Sequence, residues 1–398
     1  MKNFRAIFST IKNTQEHVSL PTASFYPNSG IVKKDYQYAR DFLLSYKNNL
    51  ETFKTYRREI ERFLQWSWLI ARKSILKHTR KDIETFIMFC LKPPKKWVGP
   101  NQVPRFIINN GRSQPNPKWR PFVTRIKYNK NLSEAAIRVI FAIIGSFYNF
   151  LLEESKIDVN PVILIKQKRA FLLHRQQFSS CPIRRISQIQ WLYLVKAAKI
   201  ITKEKPKRHG RTLFILQALY GMYLRISELV ASKRWRPQMN SFHKDNDSNW
   251  WFRVIGKGNK ERDISVSDEM LEAFKQYRIT LNLPPLPSSI DNSPLIPKFI
   301  GQGGISDSRY IRELIQDCFD LAYQLMLKDG KKINAYELKI ATVHWLRHTG
   351  ISEDVKTRPR EHVRDDAGHS SSAITDKYID IEKKERARSA KKKKLIIF

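Results

Sequence analysis

Apolar residues recur at helical spacing along most of the chain, and the spacing changes to near-alternation in only one place. In ETFKTYRREIERFLQWSWLIA, Phe53, Tyr56, Ile60, Phe63 and Leu64 fall on one face, with Lys54, Arg57, Arg58 and Arg62 between them. That pattern predicts an amphipathic helix with a cationic outer face. Thr79 is placed to cap a second helix carrying Ile83, Phe86, Ile87 and Leu91, which Pro93 and Pro94 must stop. Ser133 opens SEAAIRVIFAIIGSFYNFLLEESKI, apolar enough to sit in the middle of a bundle, and Asn160-Pro161 ends it. SQIQWLYLVKAAKII and GRTLFILQALYGMY predict two further helices. The spacing then drops to alternation in WWFRVIG and ERDISVS, two short strands joined by GKGNK as a hairpin. Helices resume at Ser267 and Ser306. The fold class expected is mainly α with a small antiparallel β-sheet.

A chain of 398 residues suggests two or three domains at about 150 residues each. Residues 1–34 carry Pro21, Pro27 and Gly30 without a sustained period, and read as an N-terminal extension, an arm or a loosely docked segment. Residues 35–175 form a helical unit with a basic insertion at 92–130, and the main boundary falls around Ser179 to Pro182. A second domain covers 182–385, and 386–398 is a basic tail. With 41% apolar and 12% aromatic residues, each domain can bury a core.

Charge narrows the class. Seventy-three Lys and Arg stand against thirty-seven Asp and Glu, a net charge of +36, which is the electrostatic footprint of a partner that is a polyanion. A ribosomal or membrane-surface protein shares that balance, but nine Trp and twenty-two Phe fit a folded nucleic-acid enzyme better. Cys90, Cys181 and Cys318 are far apart and form neither a disulfide framework nor a zinc spacing. No apolar run is expected to span a bilayer and the N-terminus is too polar for a signal peptide, so the expectation is a soluble, cytoplasmic, nucleoid-associated protein with no membrane partner.

The insertion is locally unusual. Lys92, Lys95, Lys96, Arg105, Arg112, Lys118, Arg120, Arg125, Lys127 and Lys130 occur there without one Asp or Glu. A solvated loop is one reading. A DNA-contacting insertion is the other, and the absence of acid favours it, because such a segment neutralises phosphates and releases counterions. Arg57 and Arg58 on the preceding helix join the candidate DNA-binding set.

GKGNKER invites a phosphate-loop reading and fails it, since the loop lies between two strands and lacks Gly-x-x-x-x-Gly-Lys-Ser/Thr. No nucleotide, metal or other cofactor is therefore expected. A phosphodiester exchange instead needs fixed cations around the phosphorus, a route for two protons and a nucleophile. Two Arg suit the first task, His and Lys the second, and a Tyr hydroxyl the third. The chain offers Arg225, Lys257, His344, Arg347, His369 and Tyr378, in that order within the second domain.

YLRISEL, VIGKGNKER, HWLRHT, GHSS and the trailing Tyr378 resemble the tyrosine recombinase family, the phage integrase and Xer-like group, across the whole second domain. The helical unit before it is similar to that family's core-binding domain by pattern. The resemblance implies a two-domain, C-shaped DNA clamp. It also implies that Arg225 and Arg347 hold the scissile phosphate and that Lys257 protonates the departing 5′ oxygen, with Lys260 as a rival. His344 acts as acid or base on the nucleophile's proton, His369 donates to the phosphate, and Tyr378 attacks to leave a 3′-phosphotyrosyl link. Glu228 is implied as a buried orienting partner. Four protomers on paired recombination sites of double-stranded DNA would exchange strands through a Holliday junction, with monomers in free solution and accessory DNA-bending or directionality proteins as further partners. Mobile-element integration or excision is the implied role. A type IB topoisomerase and a catalytically silent DNA-binding regulator stand as alternatives. Leu395 to Phe398 reads either as a knob docking on a neighbour or as a frayed end. Leu224 departs from the family's usual Gly, and the span between Arg347 and Gly368 is more charged than is usual there.

Overall fold

The computed structural model describes residues 4–11, 14, 29–123, 134–163, 185–256, 260–376 and 391. The chain divides into two compact units, Met1–Ser180 and Cys181–Phe398. Lys257, Tyr378, Arg125, Lys127, Lys130, the Ser133 cap and the Leu395 to Phe398 tail lie outside the described residues.

The first unit is built on α1 (Ser29–Leu44), α2 (Leu50–Trp66), α3 (Arg80–Leu91) and, further along, Glu134–Glu153. Asn49 caps α2 by accepting the Thr52 N–H at 3.2 Å, and at the start of α3 Asp82 accepts from the backbone N–H and hydroxyl of the N-cap residue Thr79. Phe53, Ile60, Phe63 and Leu64, the face expected from the spacing, are buried in one core with Phe86, Ile144 and Phe147. Asp35 is fully buried and accepts from Trp68 Nε1, Ser74 Oγ and the Ile75 N–H, which ties α1 to the turn after α2.

Two expectations for this unit change. Residues 4–11 are not a loosely docked arm, because Phe4, Ile7 and Phe8 are part of the core and the Ile7 N–H donates to buried Glu61 at 2.5 Å. The segment carries too many large apolar side chains to remain in water, at about 2 kcal/mol each. The second change concerns membrane-spanning length. Ala136–Glu153 is long and apolar enough to cross a bilayer by length and composition, with mean hydropathy 1.5 over 18 residues, and half of it is buried. It is the central helix of this core, presenting Ile140, Ile144, Phe147 and Leu151 to it.

The 92–130 insertion holds regular structure. β1 (Val98–Gly99) pairs in parallel with Phe122–Val123, and between them β2 (Phe106–Asn109) and β3 (Arg112–Pro115) form an antiparallel hairpin. Trp97, Trp119 and Phe122 are buried and anchor the insertion at both ends. The Phe122–Val123 strand is β4, and α4 is Glu134–Glu153.

The second unit begins with α5 (Gln188–Glu204), the single turn α6 (Pro206–His209) and α7 (Thr212–Gly221), followed by the short α8 (Ile226–Leu229). β5 (Phe242–Lys244), β6 (Trp250–Ile255) and β7 (Glu261–Ser265) form one antiparallel sheet in that order. The β6–β7 pair is the expected hairpin, with Ile255 opposite Glu261. The three-residue β5 is too short to show a period. α9 (Asp268–Thr280), α10 (Ser308–Lys328), α11 (Lys332–Lys339), α12 (Val343–Asp354), α13 (Arg360–Ala367) and α14 (Ser372–Asp376) complete the unit. One large core joins α5, α7, the sheet, α9, α10 and the start of α12.

Candidate active site

Arg225 stands at the turn between α7 and α8. Tyr223 takes a left-handed conformation, φ 49°, which reverses the chain, and Arg225 is the extended N-cap residue of α8. Its backbone N–H donates to Glu228 Oε2 at 2.9 Å and its Nη1 to Oε1 at 3.0 Å. Arg262, from β7, reaches the same carboxylate with Nη1 and Nη2, both at 3.0 Å. Glu228 is buried, and burial alone would raise its pKa. The hydrogen bonds and charge of Arg262, then those of Arg225, more than offset this and lower it.

His344 and Arg347 lie three residues apart on α12, as their spacing requires. Arg347 is buried and donates to the carbonyls of Tyr223 and Ala367. Gly350, one turn later, lets α12 approach α7 closely, since a Cβ there would overlap the Tyr220 carbonyl. His369 follows Gly368, which ends α13 at φ 61°, and its Nδ1 meets Thr375 Oγ1 at 2.9 Å.

The end of α13 gathers the arginines. Arg262 Nε donates to the Asp366 carbonyl at 3.0 Å, Arg347 Nη2 to that of Ala367 at 2.6 Å, and Arg225 Nη2 to that of Gly368 at 3.3 Å. Three successive carbonyls at a helix C-terminus, which have no partner within the helix, thus each hold a guanidinium. Their partial negative charge offsets the repulsion among cations that the single carboxylate of Glu228 cannot cancel.

Burial, and after it these cations, hold the pKa values of the neighbouring histidines down. Burial, then Arg347 and Arg225, lower the pKa of His344; burial, Arg347, Arg225, Arg262 and His348 take that of His369 down to about 4. His348 stacks edge-on to His344 at 4.3 Å and is lowered to about 4 by burial, His344 and Arg347. If Nδ1 of His369 accepts the Thr375 hydroxyl proton, its neutral ring carries hydrogen on Nε2, a donor. Arg225 and His344 line a hollow of about 590 Å³. Arg312 also lines it, whereas Arg347 and His369 do not.

Four residues of the expected set, Arg225, His344, Arg347 and His369, therefore meet, with Glu228 behind them. Lys260 is exposed at the end of the β6–β7 turn. Arg262 and His348 are additions. Arg262 lies inside the GKGNKER stretch, but only folding shows that it shares Glu228 with Arg225. Two of the charges between Arg347 and Gly368 serve packing. Arg358 bridges Asp366, Ser265 and Tyr223, and Asp366 in turn accepts from the Ser265 N–H and hydroxyl, fastening α13 to β7.

In the first unit Lys92, Lys95, Lys96 and Lys118 are exposed, as is Arg58, which pairs with Glu59 at 2.5 Å. Arg105 departs from its expected role as a phosphate contact. It forms an ion pair with buried Glu61, donates to the Phe8 carbonyl at 3.3 Å and lies over the Trp119 ring, so it holds the N-terminal segment in place. Arg57 likewise donates to the Ser9 carbonyl. Arg120 donates to the carbonyls of Pro117 and Trp119. The backbone of Arg112 is in β3, opposite Asn109.

No family model matches the chain. Among curated proteins, it is 31% identical over 208 residues to the tyrosine recombinase XerD of Rickettsia prowazekii (strain Madrid E), covering 52% of this chain and 58% of that one. XerD of Staphylococcus saprophyticus is 24% identical over 258 residues, 64% of this chain and 75% of that one. The chain is similar to the Xer and phage-integrase tyrosine recombinases. The fold of such recombinases extends over both units. The XerH recombinase bound to palindromic difH substrate superposes with TM-score 0.54 at 12% identity, covering 96% of this chain and 94% of that one. The Tn1549 transposon integrase in complex with a circular intermediate DNA gives TM-score 0.52 at 15% identity, covering 90% and 99%. The matched stretches span 58%, 44% and 43% of the first three curated relatives, about half their length.

Proposed function

We propose that this chain is a site-specific DNA recombinase that cleaves and rejoins duplex DNA through Tyr378. The gathering of Arg225 and Arg347 at the end of α13, close to His344 and His369, in a fold whose relatives are recombinases, carries this reading. Arg225 and Arg347 stabilise the charge that builds on the non-bridging oxygens. His369, neutral, donates to one of them. The Tyr378 oxygen attacks phosphorus as His344 takes its proton. A Tyr–O–P bond forms, the P–O5′ bond breaks, and Lys257 supplies the proton to the departing 5′ oxygen. The 3′-phosphotyrosine conserves the bond, and a 5′ hydroxyl from a second duplex reverses the step. Exchange by four protomers on paired sites through a Holliday junction, with accessory DNA-bending proteins, completes the proposal, and integration or excision of a mobile element is the role assigned.

The test mixes purified protein with end-labelled duplex carrying the flanks of its own gene, intact and nicked, on a denaturing gel. A protease-sensitive shifted band is expected, and Tyr378→Phe should abolish it while leaving DNA binding intact. A band that survives Tyr378→Phe removes that residue from the nucleophile's role.

A further inference from the structure

The β2–β3 hairpin is committed to neither core. Ile107, Ile108, Asn109, Asn110, Ser113 and Gln114 are all exposed, Ile108 at 82%. A two-stranded ribbon exposed on both faces is marginal in water by itself. This one is fixed at its base instead, where Asn116 donates from its backbone to the Arg105 carbonyl at 2.9 Å and from Nδ2 to the Pro104 carbonyl at 2.7 Å. The ion pair of Arg105 with Glu61 and the burial of Trp119 secure the two stems. Its register is set by the turn Asn110-Gly111, both in the left-handed region at φ 49° and 72°. Alternation then puts Ile107, Asn109 and Gln114 on one face, Ile107 being paired with Gln114.

The surroundings state the partner. The stems run into a groove of about 840 Å³ lined by Lys54, Arg57, Arg58, Arg62, Arg105 and Arg120, and since Glu51, Glu59 and Glu61 are the acids that ion-pair with four of these, the six cations leave it positively charged. Phosphate contacts position a duplex and base contacts specify it. A ribbon with strands about 4.8 Å apart enters a major groove about 12 Å wide, and four-residue arms of about 13 Å reach its floor. Asn and Gln amides pair bidentately with adenine N6 and N7, and an aliphatic side chain meets the thymine methyl. A second copy of this chain is a poorer occupant, because it brings another net charge of +36.

We infer that the β2–β3 ribbon reads A·T base pairs in the major groove of duplex DNA, with Asn109 and Gln114 as the specificity-determining residues. The inference rests on the DNA-recombinase reading above and names how its DNA is chosen. It is tested by selecting random duplexes with the full-length protein, with Asn109→Ala, with Gln114→Ala, and with Arg58→Gln/Arg120→Gln. The wild type is expected to prefer A·T at adjacent positions. Each alanine variant should lose about tenfold or more of that preference at one position, with unchanged melting temperature, unchanged affinity for unrelated DNA and an unchanged salt slope. Replacing the preferred adenine by 7-deazaadenine should reproduce the variant's loss. The arginine variants should weaken binding to every sequence alike.

An identical preference profile in the alanine variants overturns the inference, as does a wild type without base preference. A loss of self-association in place of a loss of preference overturns it as well and assigns the ribbon to protein contact. Failure of the parent reading is separable: preference lost as expected but no covalent complex through Tyr378 sinks the recombinase chemistry alone, whereas a covalent complex with an unaltered profile sinks only the ribbon.

Discussion

Replacing Glu228 by Gln tests how the site is held. The carboxylate accepts the Arg225 N–H at 2.9 Å and three guanidinium N–H groups, one from Arg225 and two from Arg262, each at 3.0 Å. Whichever oxygen becomes an amide nitrogen, two of these four bonds are lost and two donors are turned against a donor. The negative charge that sits between the Arg225 and Arg262 guanidinia also disappears. Breaking a buried pair costs about 3–5 kcal/mol. The lower end applies here, because the side chains of Arg225 and Arg262 keep 29% and 13% of their exposure while that of Glu228 keeps 2%. At about 2–4 °C per kcal/mol for a unit of this size, the second unit should melt roughly 10 °C lower. Arg225 loses its anchor as well, so covalent-complex formation should fall by more than the loss of folded protein explains. Differential scanning calorimetry of the full chain, paired with the labelled-DNA gel at a temperature where both proteins are folded, reads the two effects separately. A Gln variant that melts within about 2 °C of wild type and cleaves at the wild-type rate refutes the argument.

Gly350→Ala places a methyl on the Tyr220 carbonyl and against the Tyr223 ring at 3.1 Å, so α12 must move away from α7 and carry Arg347 from the Tyr223 carbonyl; overpacking of about 1–3 kcal/mol and slowed cleavage are expected by melting and gel assay. Deleting residues 1–11 removes Phe4, Ile7 and Phe8 from the core and strips Glu61 of the Ile7 N–H, and should lower the urea midpoint of the first unit sharply, whereas a true arm would leave it unchanged. His78 has no exposed side chain and burial takes its pKa to about 4, despite the opposing pull of Asp82. The unfolded state therefore binds its proton below about pH 6.5 and the native state does not until about 4. Its effect is nil above pH 6.5 and grows to a loss of about 3 kcal/mol by pH 4. His78→Gln should flatten stability against pH in that window, and an equal slope in both proteins removes His78 as its source.

Helical spacing alone located α2, α3, α4 and α5, because a single apolar face records its own partner-independent periodicity. The alternation in WWFRVIG and ERDISVS did the same for β6 and β7. The motifs that carry the resemblance were likewise local, since Arg225, His344, Arg347 and His369 each sit in a short stretch of sequence. Pairings between distant segments leave no such record. That Arg262 shares Glu228 with Arg225, that three arginines rest on the carbonyls of 366 to 368, and that Asp366 binds Ser265 and Arg358 depend on separations of up to 143 residues in sequence. The same holds for Arg105, whose charge looked available for phosphate until folding set it against Glu61, and for residues 4–11, whose apolar side chains showed no period yet completed a core. Residue type and local spacing determined which groups could act. The tertiary structure decided which cations gather at the end of α13 and which are neutralised inside, because a buried charge is tolerated only where a distant segment supplies its partner.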